Sequence, residues 1–428
     1  MTVTLSATLA ANEDIERRRR AGQRVLHLAF GEAGLPVHPA LRERLATASD
    51  RNGYGPVAGA AGLRDAAAGY WTRRGLPTDP ESVVCGPGSK SLLYGVLLAI
   101  GGDVVVTMPS WVSYAAQADL VGSRPILVPA PAQEGGVPDP ERLSSAVLHA
   151  RAHGRTVSSV IVTLPDNPTG RLATPGTVAR LVAVARELDL TIISDEIYRD
   201  LTHDPGLPYI SPADLAPERT VVTTGLSKSL ALGGWRIGVA RLPDGAHDLR
   251  ARLLAVASEI WSAPAAPVQE AAAYAFDEPP ELVERIALSR RLHCAVVRAA
   301  HAAFAGIGAS APVPQGGFYL YPDLGHLRLG GSAEITRILL DEHGIGVLPG
   351  HAFGDAPGAA RVRVAVSLLY GETAEERLAA LNSSDPLHLP WIAAGLDHLS
   401  MGLKELSLAR RDTARERRQA LVPTPCHG

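Results

Sequence analysis

Short apolar, β-branched runs recur along this chain with amphipathic segments between them, and that alternation constrains its fold more than any other feature. The runs are SVVCG (82–86), DVVVTMP (103–109), RPILVPA (124–130), SSVIVTLP (158–165), LTIISDE (190–196), TVVTTG (220–225) and WRIGVARL (235–242). Between them lie segments such as TVARLVAVARELDL (177–190), with apolar residues three and four apart. Strands that are apolar nearly throughout are buried on both faces, and helices must cover both. The chain is therefore expected to be α/β, with a large domain built on a mostly parallel sheet between helices. In such sheets ligands bind beyond the carboxyl ends of the strands.

Downstream the pattern changes. Residues 281–304 read as one long helix, GGFYLYPDL (316–324) as a short strand, 332–343 as a helix and RVRVAVSLL (361–369) as another strand. These predict a smaller α+β domain. The expected divisions are an N-terminal segment (1–49) joining the small domain, a large domain (50–280), the small domain (281–410) and a disordered tail (411–428). A terminal helix is expected over 388–405, and the arginine run at 17–20 reads as a solvated helix face.

A net charge of −3 gives no reason to expect nucleic acid as a partner. The longest apolar stretch, SLLYGVLLAIGGDVVV, is broken by Gly101, Gly102 and Asp103 and is too short for a membrane span. Cys85, Cys294 and Cys426 are too few and too scattered for a disulfide framework or a zinc site, so no metal is expected and a cytoplasmic location is.

Of 41 basic residues only Lys90, Lys228 and Lys404 are lysines. Lys228 stands in TTGLSKSLALGGWRIG (223–238), between two serines. A guanidinium stays protonated, whereas a lysine amine can lose its proton and act as a nucleophile. Other pieces supply what an aldehyde cofactor with a phosphate and a pyridine ring would need. GPGSK (86–90) follows a strand and opens a helix, which makes an anion site, and Arg236 could clamp the same anion. Asp195 ends a strand, where a carboxylate could pair with a ring nitrogen, and Tyr198 follows three residues on; an ordinary helix N-cap is the competing reading. Asn167 in DNPTG projects at the same edge. Trp111 could stack on a planar ring or fill a core. Arg361 and Arg363 share one strand face, suited either to a carboxylate substrate or to solvent.

Lys228 in SKSLALGGWRIG, NPTG (167–170), SDEIY (194–198), YGPVAG (54–59) and RVRVAVS, in this order and at these separations, resemble the class I/II aminotransferases. The resemblance runs from about Leu26 to Leu381 and implies the fold of the type I enzymes dependent on pyridoxal 5′-phosphate. It implies that Lys228 bonds the cofactor and moves the substrate proton, that Asp195 pairs with the ring nitrogen, and that Asn167 and Tyr198 bind the ring oxygen. Trp111 would stack on the ring. Ser89, Lys90 (through its backbone amide), Ser227 and Arg236 would hold the phosphate. Tyr54 would reach the phosphate of a neighbouring subunit, making a homodimer. Arg363 would clamp the substrate carboxylate with help from the Gly31 amide.

Three residues depart from the family pattern. Gly225 stands where a hydroxyl is frequent, Asp166 where Asn is frequent, and WSAPAAPVQ (261–269) lacks an arginine for a second carboxylate. A strict dicarboxylate specialist is therefore not expected. The function expected is amino-group transfer between an α-amino acid and a 2-oxo acid. The alternative is a lyase, synthase or oxidase working at the α-, β- or γ-carbon, for example γ-elimination from S-adenosylmethionine. A regulatory domain behind a DNA-binding helix-turn-helix is the remote reading, since only about 25 residues precede the motif region.

Overall fold

The computed structural model describes residues 5–131 and 133–420, with side chains through 408. All seven apolar runs form one sheet: β1 (Val83–Gly86), β2 (Asp103–Met108), β3 (Ile126–Pro129), β4 (Val157–Thr163), β5 (Thr191–Asp195), β6 (Thr220–Gly225) and β7 (Gly238–Arg241). Their spatial order is β1-β7-β6-β5-β4-β2-β3. β7 runs antiparallel to both neighbours and every other pairing is parallel.

The side-chain alternation explains why the runs are apolar throughout. Val104 and Val106 of β2 pack with Leu92, Leu93 and Leu253 from the helices Ser89–Ile100 and His247–Ile260. Val105, between them, faces Leu143, Val147 and Leu181 from Pro140–Ala152 and Pro175–Glu187. Both faces are core, so after Asp103 at its start no position on β2 is polar until Thr107. Each such buried valine stabilises the fold by about 1.5–3 kcal/mol relative to exposure.

The C-terminal part carries a three-stranded antiparallel sheet ordered Leu348–Pro349, Val362–Ala365, Tyr319–Leu320. These strands are shorter than their sequence runs. Gly317 at φ +63° and Pro322 bracket Tyr319–Leu320, and the second run turns into a 3₁₀ helix at Ser367–Tyr370. Leu26–His27 pairs in parallel with Ile345–Gly346, tying the N-terminal segment to this part. The helix Pro280–Gly306 begins in the core of the large sheet with Leu282 and ends among C-terminal residues with Leu292, Val296 and Phe304. The terminal helix is Pro390–Ala420, longer than expected and covering the start of the tail; residues 421–428 of that tail lie outside those described. Among the described residues, no helix is long and apolar enough to cross a membrane.

Candidate active site

Parallel strands deliver their carboxyl ends to one edge of the sheet, and the antiparallel β7 delivers its amino end there. Gly88–Lys90 follow β1, Trp111 and Tyr114 follow β2, Asn167 follows β4, and Asp195 ends β5. Tyr198 comes just after β5, Ser227 and Lys228 follow β6, and Arg236 precedes β7. These side chains converge on a cavity of about 520 Å³, closed from above by Phe30, Gly31, Tyr319 and Arg363. Of the sequence-identified candidates only Tyr54 and Arg361 do not line it; Tyr54 is 99% exposed on the surface of its own chain.

Asp195 is 3% exposed, and burial raises its pKa to about 6 against hydrogen bonds that oppose the shift. Its Oδ2 accepts from the Tyr114 hydroxyl at 2.8 Å, which also lies 2.7 Å from Thr163 Oγ1; Oδ1 accepts from the Ile197 amide at 3.3 Å. The carboxylate is thus pinned while it faces the cavity. Glu196 does structural work instead, accepting from Ser194 at 3.0 Å, Arg199 at 3.0 Å and Ser211.

The opposite end of the cavity is cationic. The helix Ser89–Ile100 starts after Gly88 at φ +88°, and no side chain caps its free amides. The turn needs glycine for its φ, and a Cβ there, 2.3 Å from Arg236 Nη2, would displace that guanidinium. The exposed Lys90 side chain also lines the cavity, its Nζ 5.0 Å from the Trp111 ring centre. Partial burial, then Arg236 and Lys228, depress the Lys90 pKa. The sequence reading had given this residue only a backbone role.

Lys228 Nζ donates to the Gly31 carbonyl and lies 5.9 Å from the rings of Tyr198 and Phe318. Arg363 is 1% exposed, sits over the Tyr319 ring at 4.9 Å and donates to Ala29 O and, at 3.5 Å, to Asn167 Oδ1. Its Nε has no partner, and among the described residues no carboxylate pairs with it. Burial lowers its pKa. Arg361 lies outside the cavity, paired with Asp355.

Sequence reading missed Tyr114, Thr163, Tyr319 and the approach to the cavity of the helix Ala7–Arg20, which brings Thr8 and Leu9 there with Ser6 at its cap. Tyr114 had a signal, lying three residues beyond Trp111 at a strand end. The N-terminal helix had none, because its approach depends on the pairing of Leu26–His27 with Ile345–Gly346.

Residues 24–381 match the family described as aminotransferase class I and II. The chain is 33% identical to an aspartate aminotransferase of Geobacillus stearothermophilus, over 88% of this chain and 96% of that one. It is 32% identical to a probable aspartate/prephenate aminotransferase of Thermus aquaticus, over 81% and 89%. An aspartate aminotransferase of Thermus thermophilus solved with maleate superposes with a TM-score of 0.79 at 27% identity, covering 94% of this chain and 97% of that one. These relatives carry out amino-group transfer and lend nothing to the lyase, synthase or oxidase reading. The chain belongs to the class I and II aminotransferases, fold type I enzymes that move an amino group between an α-amino acid and a 2-oxo acid with pyridoxal 5′-phosphate.

Proposed function

We propose that the amino donors are acidic amino acids, aspartate first, and that Lys90 receives their side-chain carboxylate. The observation that carries this reading is Lys90 lining the cavity, exposed, with its Nζ beside Trp111 and no acid partner among the described residues. It supplies a charge that 261–269 does not. The names of the relatives favour the same substrate class.

The cavity fits the cofactor chemically. Uncapped amides and the Arg236 guanidinium suit its phosphate, the pinned Asp195 carboxylate suits a protonated ring nitrogen, and the Lys228 amine suits its aldehyde. When bound, the cofactor withdraws electrons from the substrate α-carbon. The chain's residues would do the rest. Ser89, the Lys90 amide, Ser227 and Arg236 hold the phosphate, Trp111 covers the ring, and Asn167 and Tyr198 direct hydrogen bonds at the ring oxygen. Arg363, with the Gly31 amide, grips the α-carboxylate and aligns the α-carbon, and Lys228 Nζ carries the α-proton. The working unit in this reading is a cytoplasmic homodimer with Tyr54 crossing between subunits; exposed Tyr54 and the unpaired Cys85 and Cys294 support it.

The test is Lys90→Met, which keeps the backbone amide. Loss of a charged contact costs about 1.5–3 kcal/mol, so kcat/KM for aspartate should fall roughly ten- to a hundred-fold, with alanine nearly unaffected. Equal losses on aspartate and alanine would assign Lys90 to the phosphate end and end the proposal.

A further inference from the structure

Tyr319, on the C-terminal sheet, places its hydroxyl 2.9 Å from the Tyr198 hydroxyl and 3.4 Å from the Gly31 carbonyl. That carbonyl also accepts from Lys228 Nζ. The contact is built closely: a Cβ on Gly31 would fall 2.2 Å from Tyr319 Oη, so residue 31 leaves room for this hydroxyl. Tyr319 is 1% exposed and its ring lies under the Arg363 guanidinium. One side chain therefore touches Tyr198 and Arg363 and shares the Gly31 carbonyl with Lys228.

A phenol carries a single proton, which Tyr319 can give to Gly31 O or to Tyr198 Oη but not to both. If it goes to Gly31, Tyr198 must donate to Tyr319 and has no proton left for the cavity. If it goes to Tyr198, the Tyr198 proton is free to point inward. The Lys228 amine also donates to Gly31 O, and an oxyanion bound in the cavity draws the Tyr198 proton inward, so each favours the second arrangement. Successive hydroxyl bonds also polarise one another, making Tyr198 a better donor.

We propose that Tyr319 is a positioning residue for Tyr198, directing the Tyr198 proton into the cavity and coupling that direction to the place of the Lys228 amine. The proposal rests on the placement of Tyr198 at the cofactor ring oxygen. The experiment is a pH titration of the visible cofactor band in the holoenzyme, for wild type, Tyr198→Phe, Tyr319→Phe and the double variant. A donor to an oxyanion favours the deprotonated form, so weakening it raises the titration midpoint. Tyr319→Phe should raise it by roughly half a unit to one unit, the size of one neutral hydrogen bond, and Tyr198→Phe by more. The double variant should match Tyr198→Phe alone, because Tyr319 acts through it.

In kinetics, Tyr319→Phe should lower kcat about three- to tenfold with KM for the amino acid unchanged, since the ring under Arg363 remains. Tyr319→Leu should add a rise in KM. A midpoint moved by Tyr198→Phe but not by Tyr319→Phe overturns this proposal alone. A midpoint that Tyr198→Phe leaves in place overturns the reading of Tyr198 as well. Fully additive shifts in the double variant also reject it, since they place Tyr319 in direct action.

Discussion

Asp166 shows how one residue can depart from a family pattern at a definite thermodynamic cost. It is 2% exposed; Oδ2 accepts from Thr169, and Oδ1 is buried without a partner. Burial raises its pKa from 3.8 to about 7. A carboxylate whose folded pKa is raised binds its proton more tightly when folded, so its contribution to stability falls as pH climbs from the ordinary value through the raised one. Asp166→Asn should therefore change unfolding little near pH 4 and stabilise the protein by about 1–3 kcal/mol above about pH 8. Thermal unfolding of both proteins across that range checks it; a pH-independent difference would mean that the burial of charge is not the cause. The departure itself was legible in DNPTG, but its energetic sign was not, because burial belongs to the fold. Lys228 and Asp195 were legible because their chemistry restricts residue type. Tyr319 was not, because a tyrosine in GGFYLY reads equally well as core.

At the scale of elements, legibility followed length and environment. The seven strands of the large sheet were readable because both faces are core. The C-terminal strands are two to four residues long and take their limits from turns and partners. Gly225 belongs to this scale too. It is the register partner of Gly238 across β6 and β7, and a Cβ there would sit 2.8 Å from the Ile237 carbonyl oxygen. A side chain at 225 thus competes with close strand approach. On the other side of the pair, a Cβ on Gly238 would lie 2.5 Å from the Ser89 amide nitrogen. Gly238→Ala must push the start of helix Ser89–Ile100 off the sheet, at about 1–3 kcal/mol for overpacking. Those amides form the phosphate end of the cavity, so cofactor affinity should fall roughly tenfold or more. Equilibrium dialysis of the folded apoprotein measures it; unchanged affinity would show that the helix start is not part of the site.

For the whole molecule the open question is which chain completes which cavity. Tyr54 is 99% exposed, stands outside the cavity of its own chain and belongs to the YGPVAG motif that carries part of the family resemblance. Its exposure leaves the side chain free to meet a second subunit. In a twofold dimer each subunit would offer the same tyrosine to the other, so both cavities would be completed or neither. Subunit mixing tests this without a structure of the pair. Lys228→Ala removes the amine, and Tyr54→Ala removes the crossing hydroxyl; each homodimer should be nearly inactive. If Tyr54 serves the partner, a hybrid of the two collects both defects in one cavity and leaves the other intact. Random exchange makes about half of all dimers hybrids, so activity should rise to about a quarter of wild type. If Tyr54 serves its own chain, each cavity of the hybrid carries one defect, and mixing restores nothing. Recovery on mixing therefore assigns the active unit to the dimer, and its absence returns it to the single chain.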